Sequence, residues 1–227
     1  MSSGLSEYRL FLQEFVRRYH TTGAVLPSGR ALASALCGQV GQGDAPQRIL
    51  EVGPGTGAVT STLVTRLRPQ DSLCLIEINE SFVACLRDAL RTKPAYRAVA
   101  DRVDLVHGRL EELPGDGTYD VIVSGLPLNN FAVEDVRAIL TRMSQLVRPG
   151  GVLSFFEYIA IRSIKSSVSG STDRQRLRAI TELLDETLNG REFKRDWIWP
   201  NVPPAWVHHV RFFGPIAPPA VPSSNPD

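Results

Sequence analysis

Short apolar runs alternate with stretches of helical periodicity through most of the chain. Runs suited to buried strands occupy residues 48–52, 73–77, 103–107, 119–124 and 152–158, while residues 60–67, 81–90 and 133–147 repeat apolar side chains every three to four positions. Such alternation predicts an α/β fold, because a right-handed strand–helix–strand crossover places successive strands side by side and parallel. Residues 192–199 and 207–213 predict two closing strands. We therefore expect a seven-stranded, mostly parallel sheet with helices on both faces.

The two ends of the chain differ from this middle part. Residues 6–20 place aromatic side chains on one helical face and Arg9 and Arg17 on another, which is typical of a helix that packs on a core or lies in a membrane interface. A second helix is predicted over 31–40, with Ser28 as its N-cap. Prolines from 215 onward predict a loose tail. We expect a helical prefix (1–44), a main domain (45–214) and a tail (215–227).

Composition limits the kind of protein this is. The chain has 227 residues with 43% hydrophobic and 22% charged side chains, and a net charge of +1, which argues against a protein that binds nucleic acid mainly through phosphates. Cys37, Cys74 and Cys85 form no CxxC pair and lie in apolar stretches, so we expect buried thiols in a reducing compartment. No signal-peptide core or membrane-spanning run is apparent, which indicates a cytoplasmic protein.

A glycine-rich turn follows the first predicted strand. Gly53, Gly55 and Gly57 allow the backbone to turn sharply, so that a ligand can approach the main chain and the N–H groups of the following helix. The spacing differs from the dinucleotide fingerprint, because residues 58–60 contain no further glycine. Glu51, at the end of the strand, suits a ligand with positive charge more than one with a pyrophosphate. The alternative is an ordinary strand–helix turn.

The second strand also ends in an acid. Glu77 lies roughly twenty residues beyond the glycine turn, where a carboxylate accepts both hydrogen bonds of a ribose diol. A helix N-cap or a surface acid is the alternative interpretation.

With these two acids in register, the chain resembles the class I S-adenosylmethionine-dependent methyltransferases, which have a Rossmann-like fold. The resemblance implies a cofactor, S-adenosyl-L-methionine, and no metal. It implies that Glu51 faces the methionyl end, and it places an aspartate where this chain has Arg109. The implied cofactor contacts are Glu51, Gly53, Gly55, Thr56, Gly57, Glu77, Ile78, Arg109, Leu110, Ser124, Gly125 and Leu126.

Three further segments resemble the bacterial phospholipid N-methyltransferases. They are residues 23–28 (GAVLPS), 124–128 (SGLPL) and 201–207 (NVPPAWV). The resemblance implies methylation of the amine of phosphatidylethanolamine towards phosphatidylcholine, or of ornithine lipid. It also implies an enzyme at the inner face of the membrane, where the N-terminal helix and the basic segment 162–178 contact anionic lipid and no nucleic acid is bound. The helical prefix (1–44) is then expected to lie at the membrane interface and to cover the site as a roof.

Candidate residues for the acceptor follow from this resemblance. The expected reaction is a direct in-line displacement by a neutral amine. Tyr19, Glu157 and Tyr158 are the candidate catalytic residues, which would position the headgroup. The candidate substrate contacts are Leu126, Pro127, His208, His209 and Arg211. Tyrosine and arginine at such places are as often structural.

Two other functions remain open. A ribosomal RNA adenine dimethylase has a similar acceptor motif built on Asn-Leu-Pro-Tyr, although the near-neutral charge and Ser124 in place of the asparagine argue against it. A cofactor-binding protein without enzymatic activity is the other, and Glu51 together with Glu77 argues against it.

Overall fold

The structure is a computed structural model, and it describes residues 27–159, 171–199, 201 and 204–213. The predicted helix over 6–20, Tyr19, most of the segment 23–28, residues 162–170 of the basic segment and the tail from 215 lie outside the described residues. So do parts of the 201–207 segment.

Seven strands form one sheet. They are β1 (Arg48–Val52), β2 (Ser72–Glu77), β3 (Val103–His107), β4 (Tyr119–Ser124), β5 (Val147–Tyr158), β6 (Glu192–Ile198) and β7 (Ala205–Arg211). Their order is β3-β2-β1-β4-β5-β7-β6, and β7 runs in the opposite direction to the six other strands. Because β5 and β6 both run opposite to β7, they point the same way. The predicted seven-stranded, mostly parallel sheet is confirmed.

Six helices accompany the sheet in the described part of the chain. They are α1 (Pro27–Leu36), α2 (Thr60–Arg66), α3 (Glu80–Thr92), α4 (Pro94–Arg97), α5 (Val133–Leu146) and α6 (Ser171–Leu188). One hydrophobic cluster joins α5 and α6 to one face of the sheet, and a second joins α1 and α2 to the other. The central strands are thus covered on both faces, which is why they are apolar without alternation. No described helix is long and apolar enough to cross a membrane.

The helix α1 belongs to the packed core. Leu36 and Cys37 are fully buried in the same cluster as Ile49 of β1 and Val207 of β7. The helix begins at Pro27, before the predicted start at residue 31, so Ser28 lies inside it and the predicted N-cap is wrong. The boundaries at residues 44 and 214 stay predictions.

Other details differ from expectation. Cys37 and Cys74 are buried as predicted, but Cys85 is exposed, because it lies on the outer face of α3. The strand β5 begins at Val147, five residues earlier than expected. Gly151 permits this path, since a Cβ there would lie 2.7 Å from a methyl group of Val147 and 3.0 Å from the carbonyl oxygen of Asp120.

Candidate functional site

Two cavities open where the carboxyl ends of the parallel strands meet, which is where open α/β sheets bind ligands. Their volumes are about 240 Å³ and 100 Å³, and Gly53, Glu77 and Leu126 line both. We call them the first and the second cavity. The first lies towards β2, β3 and α5, and the second lies towards α1 and β5.

The glycine turn lies where the two cavities meet. Gly53 and Gly55 have φ angles of +67° and +58°, in the region that favours glycine. A Cβ at Gly53 would lie 2.3 Å from Leu126 Cδ2, whereas a Cβ at Gly55 would meet no atom within 4 Å. Gly53 is therefore needed for packing, while Gly55 leaves open space beside the main chain.

Glu77 supports this turn in addition to facing both cavities. Its Oε2 accepts a hydrogen bond from the N–H of Gly55 at 2.9 Å, and its Oε1 accepts one from the N–H of Asn79 at 2.9 Å. Burial raises the pKa of this carboxyl, and these amide donors oppose the rise. Each carboxylate oxygen has further lone pairs, so Glu77 can accept two hydroxyl groups of a ribose at the same time.

Glu51 is fully buried on β1 and is absent from the lining of either cavity. Neither carboxylate oxygen has a hydrogen-bond partner within the described residues. Burial raises its pKa to about 8, with a smaller rise from Glu77, and Thr60 opposes the rise. An unpaired buried carboxylate is costly unless a positive charge or a proton compensates it. A pKa of about 8 means that Glu51 holds a proton at neutral pH, and a cationic centre close to it would favour the charged form instead.

The first cavity has a polar rim and an apolar wall. Ile78, Arg109 and Leu110, which the resemblance implies contact the cofactor, line it. The guanidinium of Arg109 lies 3.3 Å from a carboxylate oxygen of Glu111, and both side chains are partly exposed. A surface pair of this kind contributes little.

Sequence reasoning missed one side of the first cavity. Phe131, Asp135 and Ile139 line it from the loop after β4 and from α5. An aromatic ring and aliphatic side chains form a surface suited to a flat heterocycle. The spacing of Asp135 and Ile139, four residues apart on a predicted helix, was the available signal, because it places both on one helical face.

The second cavity is formed by the loop after β4, by β5 and by α1. Leu126 and Pro127, the candidate substrate contacts of this loop, line it opposite Phe156 and Tyr158. α1, which belongs to the helical prefix expected to cover the site, contributes a wall of Gly29, Leu32, Ala33 and Leu36. Gly125 allows the loop to approach the glycine turn, because a Cβ there would lie 3.2 Å from the carbonyl oxygen of Gly53. Ser124 is fully buried outside both linings, and its hydroxyl accepts the N–H of Leu126 at 3.4 Å.

Arg176 of α6 binds the loop after β4 through two hydrogen bonds. It donates hydrogen bonds to the carbonyl oxygens of Asn129 at 3.0 Å and Phe131 at 2.9 Å. The guanidinium of Arg176 thus binds the protein's own carbonyl groups. The expected contact of the basic segment 162–178 with anionic lipid stays a prediction.

Of the two described catalytic candidates, only Tyr158 lines a cavity. Neighbouring residues of a strand point to opposite faces, so Glu157 points away from the second cavity. Glu157 is buried, and its Oε2 lies 3.8 Å from Nε2 of His208. Its expected contact with the headgroup does not fit this placement.

The three candidate substrate contacts on β7 also lie away from the cavities. His208 Nδ1 lies 2.7 Å from Oε1 of Glu192, and His209 bridges Ser154 Oγ at 2.8 Å and Asp196 Oδ2 at 3.1 Å. Arg211 is in register with Val152, six residues before Tyr158 on β5. The expected substrate contacts do not fit, because β7 runs antiparallel and its later residues recede from the site.

No group of His, Cys, Asp and Glu side chains that could hold a metal occurs in the described part of the chain.

Comparisons with known proteins bear on this site. Residues 49–151 match the family model of a methyltransferase domain. The structure superposes on the 1,6-didemethyltoxoflavin-N1-methyltransferase of Burkholderia thailandensis, solved with S-adenosylhomocysteine, with a TM-score of 0.61, 16% identity, and coverage of 93% of this chain and 91% of that chain. At that identity the likeness shows the fold, which is the Rossmann-like class I methyltransferase fold.

Two curated relatives are informative. The ubiquinone/menaquinone biosynthesis C-methyltransferase of Idiomarina loihiensis is 31% identical over 112 residues, which is 49% of this chain and 42% of the relative. The ornithine lipid N-methyltransferase of Singulisphaera acidiphila is 24% identical over 156 residues, which is 66% of this chain and 77% of the relative. This chain thus spans less than half the length of the C-methyltransferase.

Proposed function

We propose, on the premise that this chain carries a class I S-adenosylmethionine-dependent methyltransferase domain, that it methylates the headgroup amine of a membrane lipid. The observation that carries the proposal is the extent of similarity to the ornithine lipid N-methyltransferase, which covers 77% of that relative. The C-methyltransferase match covers 112 residues, about the length of the segment 49–151 that matches the family model of a methyltransferase domain.

The residues around the first cavity fit the proposed cofactor. S-adenosylmethionine supplies a methyl group on a positively charged sulfonium. Glu77 would accept the ribose hydroxyls, and the open space at Gly55 would admit the ligand against the main chain. The apolar wall with Phe131 would hold the adenine. A cationic centre near the turn would favour the charged form of Glu51, whose carboxyl oxygens have no hydrogen-bond partner in the described residues.

The second cavity supports the acceptor side of the proposal. Leu32, Leu126 and Phe156 make its wall apolar and exclude water from an approaching amine. The Tyr158 hydroxyl is the polar group that would orient the amine nitrogen towards the methyl group. Holding the two reacting atoms about 3 to 3.5 Å apart and in line is the main contribution such a site makes.

The acceptor is tested by supplying purified protein and labelled S-adenosylmethionine with vesicles that contain phosphatidylethanolamine or ornithine lipid. We expect label in a methylated lipid, identified by mass spectrometry. Expression in bacteria rich in phosphatidylethanolamine tests the same acceptor in cells and shows how many methyl groups are added.

A quinone C-methyltransferase is the second candidate, favoured by 31% identity over 112 residues to the Idiomarina enzyme. A demethylated quinol in the same vesicles is the matched acceptor. Label on a ring carbon with none in the lipid amines would refute the lipid proposal, as would label transferred only to ribosomal RNA.

A further inference from the structure

The strand β6 ends in two exposed tryptophans. The side chains of Trp197 and Trp199 are 55% and 63% exposed, and their rings stack with centroids 4.7 Å apart at an interplanar angle of 24°. Large aromatic side chains grouped on a surface commonly mark a place of interaction. We call these two residues the tryptophan pair.

The register of the sheet places the tryptophan pair at the same edge of the sheet as the second cavity. Ile198, between the two tryptophans, is in register with Ala205 of β7, which is in register with Tyr158 of β5. Tyr158 lines the second cavity, and β6 points the same way as β5, so both end at the edge where that cavity opens. Trp197 is in register with Trp206 and Glu157, so its side chain lies on the opposite face of the sheet from Tyr158.

The chemistry of the pair fits the surface of a phospholipid bilayer. Indole combines a large apolar body with one N–H donor, and tryptophan is enriched where membrane meets water. The cations of the same strand are already paired: Lys194 lies 2.8 Å from Asp196, and Arg195 lies 2.5 Å from Glu192. The surface around the pair therefore offers aromatic contact more than electrostatic attraction.

We propose that Trp197 and Trp199 enter the headgroup region of a phospholipid bilayer and hold the second cavity at the membrane surface. This inference rests on the proposed lipid acceptor, which must enter the cavity from that surface. It adds a contact separate from the N-terminal helix and the basic segment. An amine at headgroup level is then presented to the cavity without leaving the membrane.

The test compares the double variant Trp197→Ala/Trp199→Ala with Phe193→Ala. Phe193 is a matched control, because it is 44% exposed on the same strand but at the end away from the cavity. Sedimentation with phosphatidylethanolamine/phosphatidylcholine vesicles should show roughly tenfold weaker partition for the double variant, equal to about 1.4 kcal/mol. The control should bind as the unaltered protein does. Circular dichroism shows whether each variant is folded.

Salt separates this contact from an electrostatic one. Raising NaCl from about 0.1 M to about 1 M shortens the Debye length from about 10 Å to about 3 Å. We expect the part of the binding that the double variant loses to persist at high salt. Its disappearance at high salt would overturn the aromatic contact, and so would equal partition of the double variant and the unaltered protein.

Activity separates this inference from the proposed function. On a short-chain phosphatidylethanolamine dissolved as monomers, the double variant should methylate at the rate of the unaltered protein, and on vesicles its rate should fall roughly tenfold. Suppose that the unaltered protein methylates neither lipid, and that the double variant binds vesicles more weakly than the unaltered protein does. The proposed function then fails and the membrane contact stands. If the double variant changes only the oligomeric state in sedimentation velocity, the pair is a contact between subunits and the inference fails.

Discussion

The carboxylate of Glu77 is predicted to act on both the fold and the ligand, and Glu77→Gln separates the two effects. The glutamine keeps one acceptor oxygen but presents an NH₂ group to one of the two backbone donors, the N–H of Gly55 or of Asn79. Losing a hydrogen bond to a charged group costs about 1.5 to 3 kcal/mol. For a chain of this size, each kcal/mol lowers the melting temperature by about 2–4 °C, so we expect a fall of about 3–12 °C without ligand.

The ligand effect is measured separately. A saturating ligand at about 100 times its Kd adds about 2.7 kcal/mol of stability to the folded state. S-adenosylhomocysteine should give this protection to the unaltered protein and much less to Glu77→Gln, because the ribose loses a charged acceptor. Calorimetry should show a Kd at least roughly tenfold weaker, which corresponds to about 1.4 kcal/mol.

The control for this variant is Glu80→Gln, which makes the same chemical change on an exposed residue three positions later. It should leave the Kd unchanged and lower the melting temperature by only about 1–4 °C, because Glu80 lies in the first turn of α3, where an acid contributes about 0.3–1 kcal/mol. An unaltered Kd in a folded Glu77→Gln would refute the ribose assignment, and an unaltered melting temperature would refute the structural role of the carboxylate.

Three further variants test other parts of the site. Gly55 and Gly117 have similar positive φ angles and open space where an alanine would add a methyl group. Gly55→Ala and Gly117→Ala should each lower the free energy of unfolding in urea by about 1–2 kcal/mol. Only Gly55→Ala should weaken S-adenosylhomocysteine binding in calorimetry. Equal affinities would contradict the placement of the ligand. The folded-state pKa of Glu51 is raised from 4.5 to about 8, so the folded chain keeps a proton that the unfolded chain releases. The free energy of unfolding should therefore fall between about pH 4.5 and pH 8, by up to about 1.4 kcal/mol per pH unit. Urea titrations should show this slope reduced in Glu51→Gln, and an unchanged slope would assign it to other groups. Arg176→Ala should weaken S-adenosylhomocysteine binding several-fold in calorimetry by releasing the carbonyl of Phe131, and wild-type affinity would show that the loop keeps its shape alone.

The sheet was predictable because its strands carry one strong signal. β1, β2 and β4 are buried runs and β3 is a partly exposed one, all four are bounded by helices or turns, and their ends match expectation within one or two residues. The glycine turn and Glu77 were found because both lie at the carboxyl ends of consecutive strands. A fixed position along a strand is a local property, so the sequence contains it.

The acceptor side depended on contacts between distant parts of the chain. α1 forms a wall of the second cavity, and only the folded chain brings it against β5. His208 and His209 looked available because histidines near the end of a sequence have no visible partners, yet their acids come from β6 across the hairpin. The direction of β7 decided which of its residues reach the site, and strand direction is a property of topology rather than of pattern.

The isobutyl group of Leu126 lies at the boundary between the two cavities, together with Gly53 and Glu77. Leu126 fills the space that Gly53 leaves open and lines both cavities. The two cavities are therefore coupled, because a ligand that displaces Leu126 in one cavity changes the volume available in the other. The range of acceptors is then adjustable by substitution at this one position, while the turn that carries the cofactor contacts keeps its shape.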